Sequence, residues 1–84
     1  MAAEVWIREL NLIRGPFKFS YKATYTACED GFWKLVNFQT CGYESIGNFP
    51  LDQKIQLIQK FGRQAARAAH EEAERRINLP SMAR

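Results

Sequence analysis

Few side chains in this chain of 84 residues are of the types that carry chemistry. The single histidine, His70, has no second histidine with which to hold a metal ion, and neither cysteine lies at ligand spacing from it. A catalytic base also needs a nucleophile, and none of the three serines (Ser20, Ser45 and Ser81) lies in the motif that surrounds a catalytic serine. We therefore expect no enzyme: no catalytic residue, no cofactor site and no metal site, with His70 on a charged helix face.

The nearest approach to a pair of catalytic carboxylates is Glu29 and Asp30. Gly31 follows them, and Glu-Asp-Gly is a typical hairpin sequence, so these two acids are predicted to be turn residues. In that hairpin Cys28 and Cys41 lie about ten positions apart, too far for a disulfide. Because the chain also lacks an export signal, we expect reduced thiols and a cytoplasmic protein.

Composition and charge bound the class of protein. Apolar residues make up 46% of the chain and charged residues 25%, which is normal for a folded soluble domain. No run of about 18 apolar residues is present, so no membrane span or membrane partner is expected. The net charge is +3, and all of this excess lies after residue 50. A mild, localised excess of this kind allows weak non-specific attraction to polyanions but lacks the charge density of a dedicated nucleic-acid arm.

The clearest element in the sequence is the stretch FKFSYKATYTA, residues 17–27, which alternates without a slip. One side of this strand receives Phe17, Phe19, Tyr21, Ala23 and Tyr25, and the other receives Lys18, Ser20, Lys22, Thr24 and Thr26. Such regular alternation is typical of a half-buried strand, so we expect the aromatic row to be core. Residues 32–41 return as the second strand of a hairpin spanning residues 17–41.

The remaining elements give the fold class. Residues 51–78 contain no proline after Pro50 and are rich in helix-forming types, so one long helix is predicted there. Its core-facing stripe is expected to consist of Leu51, Ile55, Ile58, Phe61, Ala65, Ala68 or Ala69, and Ile77. Residues 3–13 fit a helical stripe or a strand, and we favour a strand because Val, Trp and Ile are good strand formers. We predict a single α+β domain over residues 1–84, with an antiparallel sheet of two to four strands packed against the helix. Residues 79–84 are expected to form a frayed tail.

The register of the hairpin decides which residues share a face. With a two-residue turn, Trp33 and Leu35 fall on the face opposite the aromatic row. With a three-residue turn they join that row, and Phe32, Val36 and Phe38 fall on the lysine and threonine face instead. Either register leaves a second face that is partly apolar and that the helix cannot cover. Residues 3–13, a second copy or another protein would have to cover it.

The main functional hypothesis is a protein-binding module without enzymatic activity: a small inhibitor, adaptor or accessory protein of the kind found in phages and mobile elements. It would dock the second sheet face and the helix onto a larger macromolecule. The expected anchors are aromatic and apolar side chains: Phe32, Trp33, Leu35, Phe38 and Tyr43. A basic strip on the helix, formed by Lys60, Arg63 and Arg67, would select an acidic partner.

Two further hypotheses stay open. In its order of elements, residues 17–70 with "GNF" before the helix, the chain resembles the sheet-and-helix DNA-binding modules of plant transcription factors and integrase arm domains. That resemblance implies nucleic-acid binding through Lys18, Lys22, Lys34 and the helix arginines, although residues 17–46 lack the arginines that read bases in such modules. Alternatively, the chain forms a homodimer that buries its second sheet face against itself.

Overall fold

The computed structural model describes residues 4–75 and 77–78. Its elements, in chain order, are β1 (Val5–Arg14), β2 (Phe17–Ala27), β3 (Phe32–Ser45), α1 (Leu51–Glu74) and β4 (Ile77–Asn78). The strands form one antiparallel sheet in the order β1-β2-β3-β4, and α1 packs across one face of it. The predicted α+β class is confirmed. The predicted tail at 79–84 lies outside the described residues.

The N-terminal segment is a strand, as we favoured. All ten residues of β1 pair with β2 in an unbroken register, so this segment extends the sheet and does not cover its second face. The turn that follows depends on Gly15, which has a φ of +57°. A Cβ atom at Gly15 would lie 2.6 Å from the ring of Phe61, so the turn is packed directly under the helix. This contact ties the β1–β2 turn to α1.

The second hairpin has the three-residue turn. The Cys28 backbone N–H donates to the Phe32 carbonyl oxygen at 2.9 Å, and Gly31 takes a φ of +87°. This geometry matches a three-residue loop that ends in a glycine bulge. Consequently Trp33 and Leu35 lie on the same face as the aromatic row, which is the outcome predicted for this turn.

A β-bulge then changes the faces of β3. Between Leu35 and Asn37, Val36 has no residue opposite it on β2, and Phe38 consequently pairs with Ala23 on the helix-covered face. The three-residue turn had predicted Phe38 on the lysine and threonine face, and that expectation was wrong. The physical reason is that one unpaired residue reverses the alternation of the side chains that follow it, here as far as the second register shift at Cys41.

The helix begins at the predicted residue but ends earlier than predicted. Arg75 adopts an extended conformation with φ −62° and ψ 141°, which stops the helix at Glu74 instead of residue 78. Ile77, which the sequence pattern assigned to the helix, pairs instead with Trp33 in the short strand β4. The chain therefore turns back after the helix to add an edge strand beside β3.

The core is aromatic on the sheet side and small on the helix side. The predicted aromatic row of β2 is confirmed as core, with each of its five members at most 5% exposed. The helix residues that meet it are Ala65, Ala69 and Ala73, all fully buried. Because alanine adds little bulk, the helix can approach the large rings closely. The core is correspondingly thin, since no described element packs on the sheet's other face, which we call the open face.

Candidate functional site

The five predicted anchors are not together on the open face. Trp33 is 7% exposed and belongs to the core, while Leu35 and Phe38 are half-buried against that core. Phe32 is half-buried at the start of β3, and Tyr43 is 45% exposed near the other end of the strand. Among these five, Tyr43 therefore offers the largest exposed fraction to a partner.

Phe38 fills a position between the sheet and the helix. Its ring stacks on Tyr21, with centroids 5.4 Å apart, and meets the edge of His70 at 5.0 Å. His70 Nδ1 also lies 3.4 Å from a carboxylate oxygen of Glu74, one helical turn away. The side chain of His70 is thus about half exposed, packed on Phe38 and paired on its own helix, as expected for a residue of a charged helix face.

A polar cluster joins the sheet to the end of the helix. Arg8 Nη2 donates to Glu72 Oε2 at 2.9 Å, and Arg8 Nη1 donates to the Tyr25 hydroxyl at 3.4 Å. The Tyr25 hydroxyl in turn donates to the Ala73 carbonyl oxygen at 2.9 Å. Sequence reasoning missed this cluster. The sequence feature that could have indicated this cluster is Arg8, a charged residue that lies between Trp6 and Leu10 on the helix-covered side of β1.

The cluster shifts two pKa values. The hydrogen bond from Arg8, assisted by the charge of Arg75, lowers the pKa of Glu72 below its ordinary value. Burial of Arg8 disfavours its charge, but the hydrogen bonds to Glu72 and Tyr25 outweigh that effect and raise the pKa of Arg8. Both shifts favour the ionised pair, so the cluster acts as a charged clasp between β1 and α1.

Aromatic rings surround this clasp. Trp6 stacks on Tyr25 with centroids 5.2 Å apart, and it also contacts Trp33 at 5.6 Å. The indole nitrogen of Trp33 is buried and finds no hydrogen-bond partner among the described residues. The three rings therefore pack together as part of the core.

The basic strip is present on the exposed side of the helix. Lys60, Arg63 and Arg67 are all exposed and line a shallow depression that also includes Glu71. Within residues 4–75 and 77–78, none of the three cations forms an ion pair with a carboxylate. Lys60 Nζ instead lies 5.4 Å from the centre of the Phe61 ring. Their charges are therefore directed to solvent.

A second exposed surface lies where β3 joins α1. Its members are large apolar side chains that are 45–71% exposed, and we call them the apolar end: Tyr43, Ile46, Leu51 and Ile55. The Ile46 backbone N–H donates to the Pro16 carbonyl oxygen at 2.8 Å, which fixes this segment against the β1–β2 turn. Lys54 Nζ lies 5.8 Å from the Tyr43 ring centre, so the first turn of α1 reaches the Tyr43 end of β3.

Leu51 and Ile55 were predicted to face the core, and the structure corrects that expectation. They are 71% and 50% exposed because α1 begins beyond the part of the sheet that it covers. Hydrophobic periodicity places residues on one face of a helix but does not say where the covering layer ends.

The three lysines of the open face are spread along two strands, Lys18 and Lys22 on β2 and Lys34 on β3, and each lies opposite a residue of a neighbouring strand. Lys18 pairs with Glu44 across β3, and Lys22 pairs with Glu9 across β1. Lys34 pairs with Thr26. Because opposite charges on facing residues weaken each other's field, two of the three lysines offer little attraction to phosphate.

Other kinds of site were sought in the same described residues. They contain no group of three or more side chains suited to bind a metal ion, and their one helix is not apolar enough to cross a membrane. Comparisons with protein-family models, with curated proteins and with solved structures find no match to the chain.

Proposed function

We propose that this protein is a binding module without enzymatic activity, which docks its apolar end and the basic strip of α1 onto a larger protein. The observation that carries the proposal is the exposure of Leu51 and Ile55, at 71% and 50%, beside Tyr43 and Ile46. A patch of large exposed apolar side chains is more often an interaction site than a surface without a function. The mechanism is occlusion or tethering, as in a small inhibitor, adaptor or accessory protein.

The spacing of the apolar residues suits recognition of the helix by a groove. Leu51 and Ile55 are one turn apart, and Ile58 continues the same stripe while half-buried. A helix that lays such a stripe into an apolar groove uses anchors at these spacings. Tyr43 adds an aromatic ring from the sheet, and aromatic rings carry much of the energy at protein interfaces.

The charges define the chemistry of the partner. Lys60, Arg63 and Arg67 extend along the helix from the apolar anchors and have no carboxylate partner within the described chain. A partner that fits both features has an apolar groove flanked by acidic side chains. The steering effect of such charges appears mainly in the association rate and in its dependence on salt.

The working compartment in this proposal is the cytoplasm. Both cysteines, Cys28 and Cys41, are free thiols, and Cys41 is exposed. Exposed free thiols persist in a reducing compartment and are oxidised in a secretory one. A host cell infected by a phage, or one that carries a mobile element, is the setting that we infer for a small accessory protein of this kind.

The experiment that tests the proposal compares three purified baits: the wild type, the double variant Leu51→Ser/Ile55→Ser, and the control Val36→Ser. Val36 is 54% exposed but lies outside the apolar end. We expect a nuclease-resistant partner that the wild type and the control retain and that the double variant loses. The purified partner should then bind directly, with an association rate that Arg63→Glu/Arg67→Glu reduces and that salt weakens.

Two results would contradict this function. One is a partner whose binding is unaffected by the Leu51/Ile55 double variant, because the apolar end would then play no part. The other is nuclease-sensitive retention together with a DNA or RNA gel shift that disappears steeply as salt increases, since that behaviour indicates phosphate contacts.

A further inference from the structure

Among the described residues, no strand pairs with the outer edge of β1. The Glu4 carbonyl oxygen accepts from the Ala27 N–H at 3.3 Å. Glu4 and Ala27 are therefore a hydrogen-bonded pair of the ladder between β1 and β2. Hydrogen-bonded pairs alternate with non-bonded pairs in an antiparallel ladder. In the continuous register of β1, the backbone groups that point to the open edge are therefore those of alternate residues: Val5, Ile7, Glu9, Asn11 and Ile13.

This edge is only partly protected against pairing: it carries the charged side chains of Arg8, Glu9 and Arg14, of which Arg8 lies on the helix-covered side. β1 contains no lysine and no proline, and its register with β2 is unbroken by any bulge. Native proteins commonly protect edge strands with one of these devices. Among the described residues, the side chain that covers an edge group is that of Arg14, whose Nη1 donates to the Ile13 carbonyl oxygen at 2.9 Å.

We propose that β1 pairs antiparallel with β1 of a second copy, on a two-fold axis at Leu10, to form one continuous sheet. In this register Ile7 lies opposite Ile13 of the second copy, and Glu9 lies opposite Asn11 of the second copy. The pairing supplies about eight inter-chain backbone hydrogen bonds. It also places the exposed Ile7 and Ile13 side chains, at 55% and 61% exposure, against each other.

The sequence of β1 is self-complementary, so a second copy of β1 is the strand that fits this edge. In one continuous sheet, side chains that lie opposite each other on neighbouring strands point to the same face. Residues of the open face must therefore pair with residues of the open face of the second copy. Moving the axis by one residue to Glu9 would set two Glu9 carboxylates opposite each other, and like charges in that position are destabilising. The register centred on Leu10 avoids that repulsion and, on the open face, pairs Ile7 with Ile13 and Glu9 with Asn11.

The helix-covered side leaves room for this pairing. A groove of about 430 Å³ separates the β1 edge from α1 and is lined by Arg8, Leu12, Arg14, Glu71 and Arg75 among others. The two-fold axis would place both helices on the same face of the joined sheet, with the two grooves adjoining. Because the lining holds acids and bases, each copy presents both signs of charge to the other.

The first test compares the wild type with Glu9→Pro by sedimentation and light scattering of the full chain. Proline removes the outward N–H of residue 9 without removing a bond to β2, and edge positions tolerate it. We expect a wild-type dimer and a roughly 30-fold weaker dimer for Glu9→Pro, the equivalent of about two hydrogen bonds. Glu9→Ala is the matched control and should remain dimeric, and circular dichroism should show all three folded.

The second test fixes the register and remains decisive if Glu9→Pro fails to fold. Asn11→Lys creates two cross-strand pairs with Glu9 of the other copy and should tighten the dimer roughly 2- to 30-fold. Glu9→Gln should leave the dimer unchanged or weaker. A tighter dimer for Glu9→Gln, with no gain for Asn11→Lys, would overturn the Leu10-centred register. A wild-type chain that stays monomeric at millimolar concentration would overturn the pairing itself.

Discussion

At the residue scale, the most consequential side chains are those that connect the sheet to the helix. Tyr25 is fully buried, stacks on Trp6 and donates its hydroxyl proton to the Ala73 carbonyl oxygen. Arg8 and Glu72 close the same junction from the side. These contacts fix which turn of α1 lies over which strand, so they control how the small core is assembled.

Replacing Tyr25 by phenylalanine tests the buried hydrogen bond. The change keeps the ring but leaves the Ala73 carbonyl oxygen without this donor, so we expect a loss of about 1–3 kcal/mol in the free energy of unfolding. Urea denaturation measures it. Tyr43→Phe is the matched control, because the described contacts of Tyr43 are with rings and with Lys54, and it should change stability little. Equal losses in both variants would disprove the role of the hydrogen bond.

Glu72 makes stability depend on acid pH. Its folded-state pKa is lowered, first by the Arg8 hydrogen bond, so its contribution is fully present above the unfolded-state pKa and is lost as pH falls through the folded-state pKa. We expect wild type to be more stable than Glu72→Gln at pH 7, and the difference to close below about pH 5. Urea titrations across this range measure it. Glu71→Gln is the matched control at pH 7 for the loss of one carboxylate, because Glu71 belongs to none of the described ion pairs.

At the scale of elements, the bulge at Val36 determines which side chains of β3 face the helix. Its extra residue returns Phe38 to the helix-covered side, where the ring contacts Tyr21 and His70. Without this bulge Phe38 would lie on the open face, as the three-residue turn by itself predicted. A second register shift, at Cys41, keeps Tyr43 beside Phe19. The open face is thereby left with fewer aromatic residues than the sequence pattern indicated.

The β1–β2 turn offers a test of how closely the layers pack. Gly15→Ala places a methyl group 2.6 Å from the Phe61 ring at a φ of +57°, so it combines backbone strain of about 1–2 kcal/mol with a steric clash. Gly31→Ala is the matched control: it has a φ of +87° but open space around it. Thermal and urea unfolding should show a loss larger for Gly15→Ala by about 1–3 kcal/mol. Equal losses would mean that Phe61 moves aside freely.

At the scale of the whole molecule, the long strands and helix give an extended shape. The radius of gyration is 15.9 Å, compared with about 12 Å for a compact domain of this length. The principal extents are 52, 20 and 18 Å. An extended two-layer domain leaves one sheet face, one long edge and one end of the helix exposed. The proposed dimer uses the edge of β1, and the proposed partner docks at the end of the helix.

Pairing of β1 between two copies predicts that the thermal midpoint of the wild type rises with protein concentration. A dimer that forms only from folded chains stabilises the folded state by mass action. We expect the midpoint of Asn11→Lys to rise more steeply with concentration and that of Glu9→Pro to stay nearly flat. Differential scanning calorimetry over a hundredfold range of concentration measures this. A concentration-independent wild-type midpoint would contradict the edge pairing without bearing on the partner proposed for the apolar end.

The sequence by itself determined the second hairpin, the start of the helix and the aromatic row of the core. Alternation over residues 17–27, the Glu-Asp-Gly turn and the proline-free run after Pro50 sufficed, because these signals depend on local geometry. Tertiary structure alone decided the bulge at Val36, the end of the helix at Glu74, the clasp from Arg8 to Glu72 and the exposure of Leu51 and Ile55. Each of these depends on where one layer stops covering another or where one unpaired residue reverses a face. Such outcomes depend on contacts between distant parts of the chain, which local patterns do not encode.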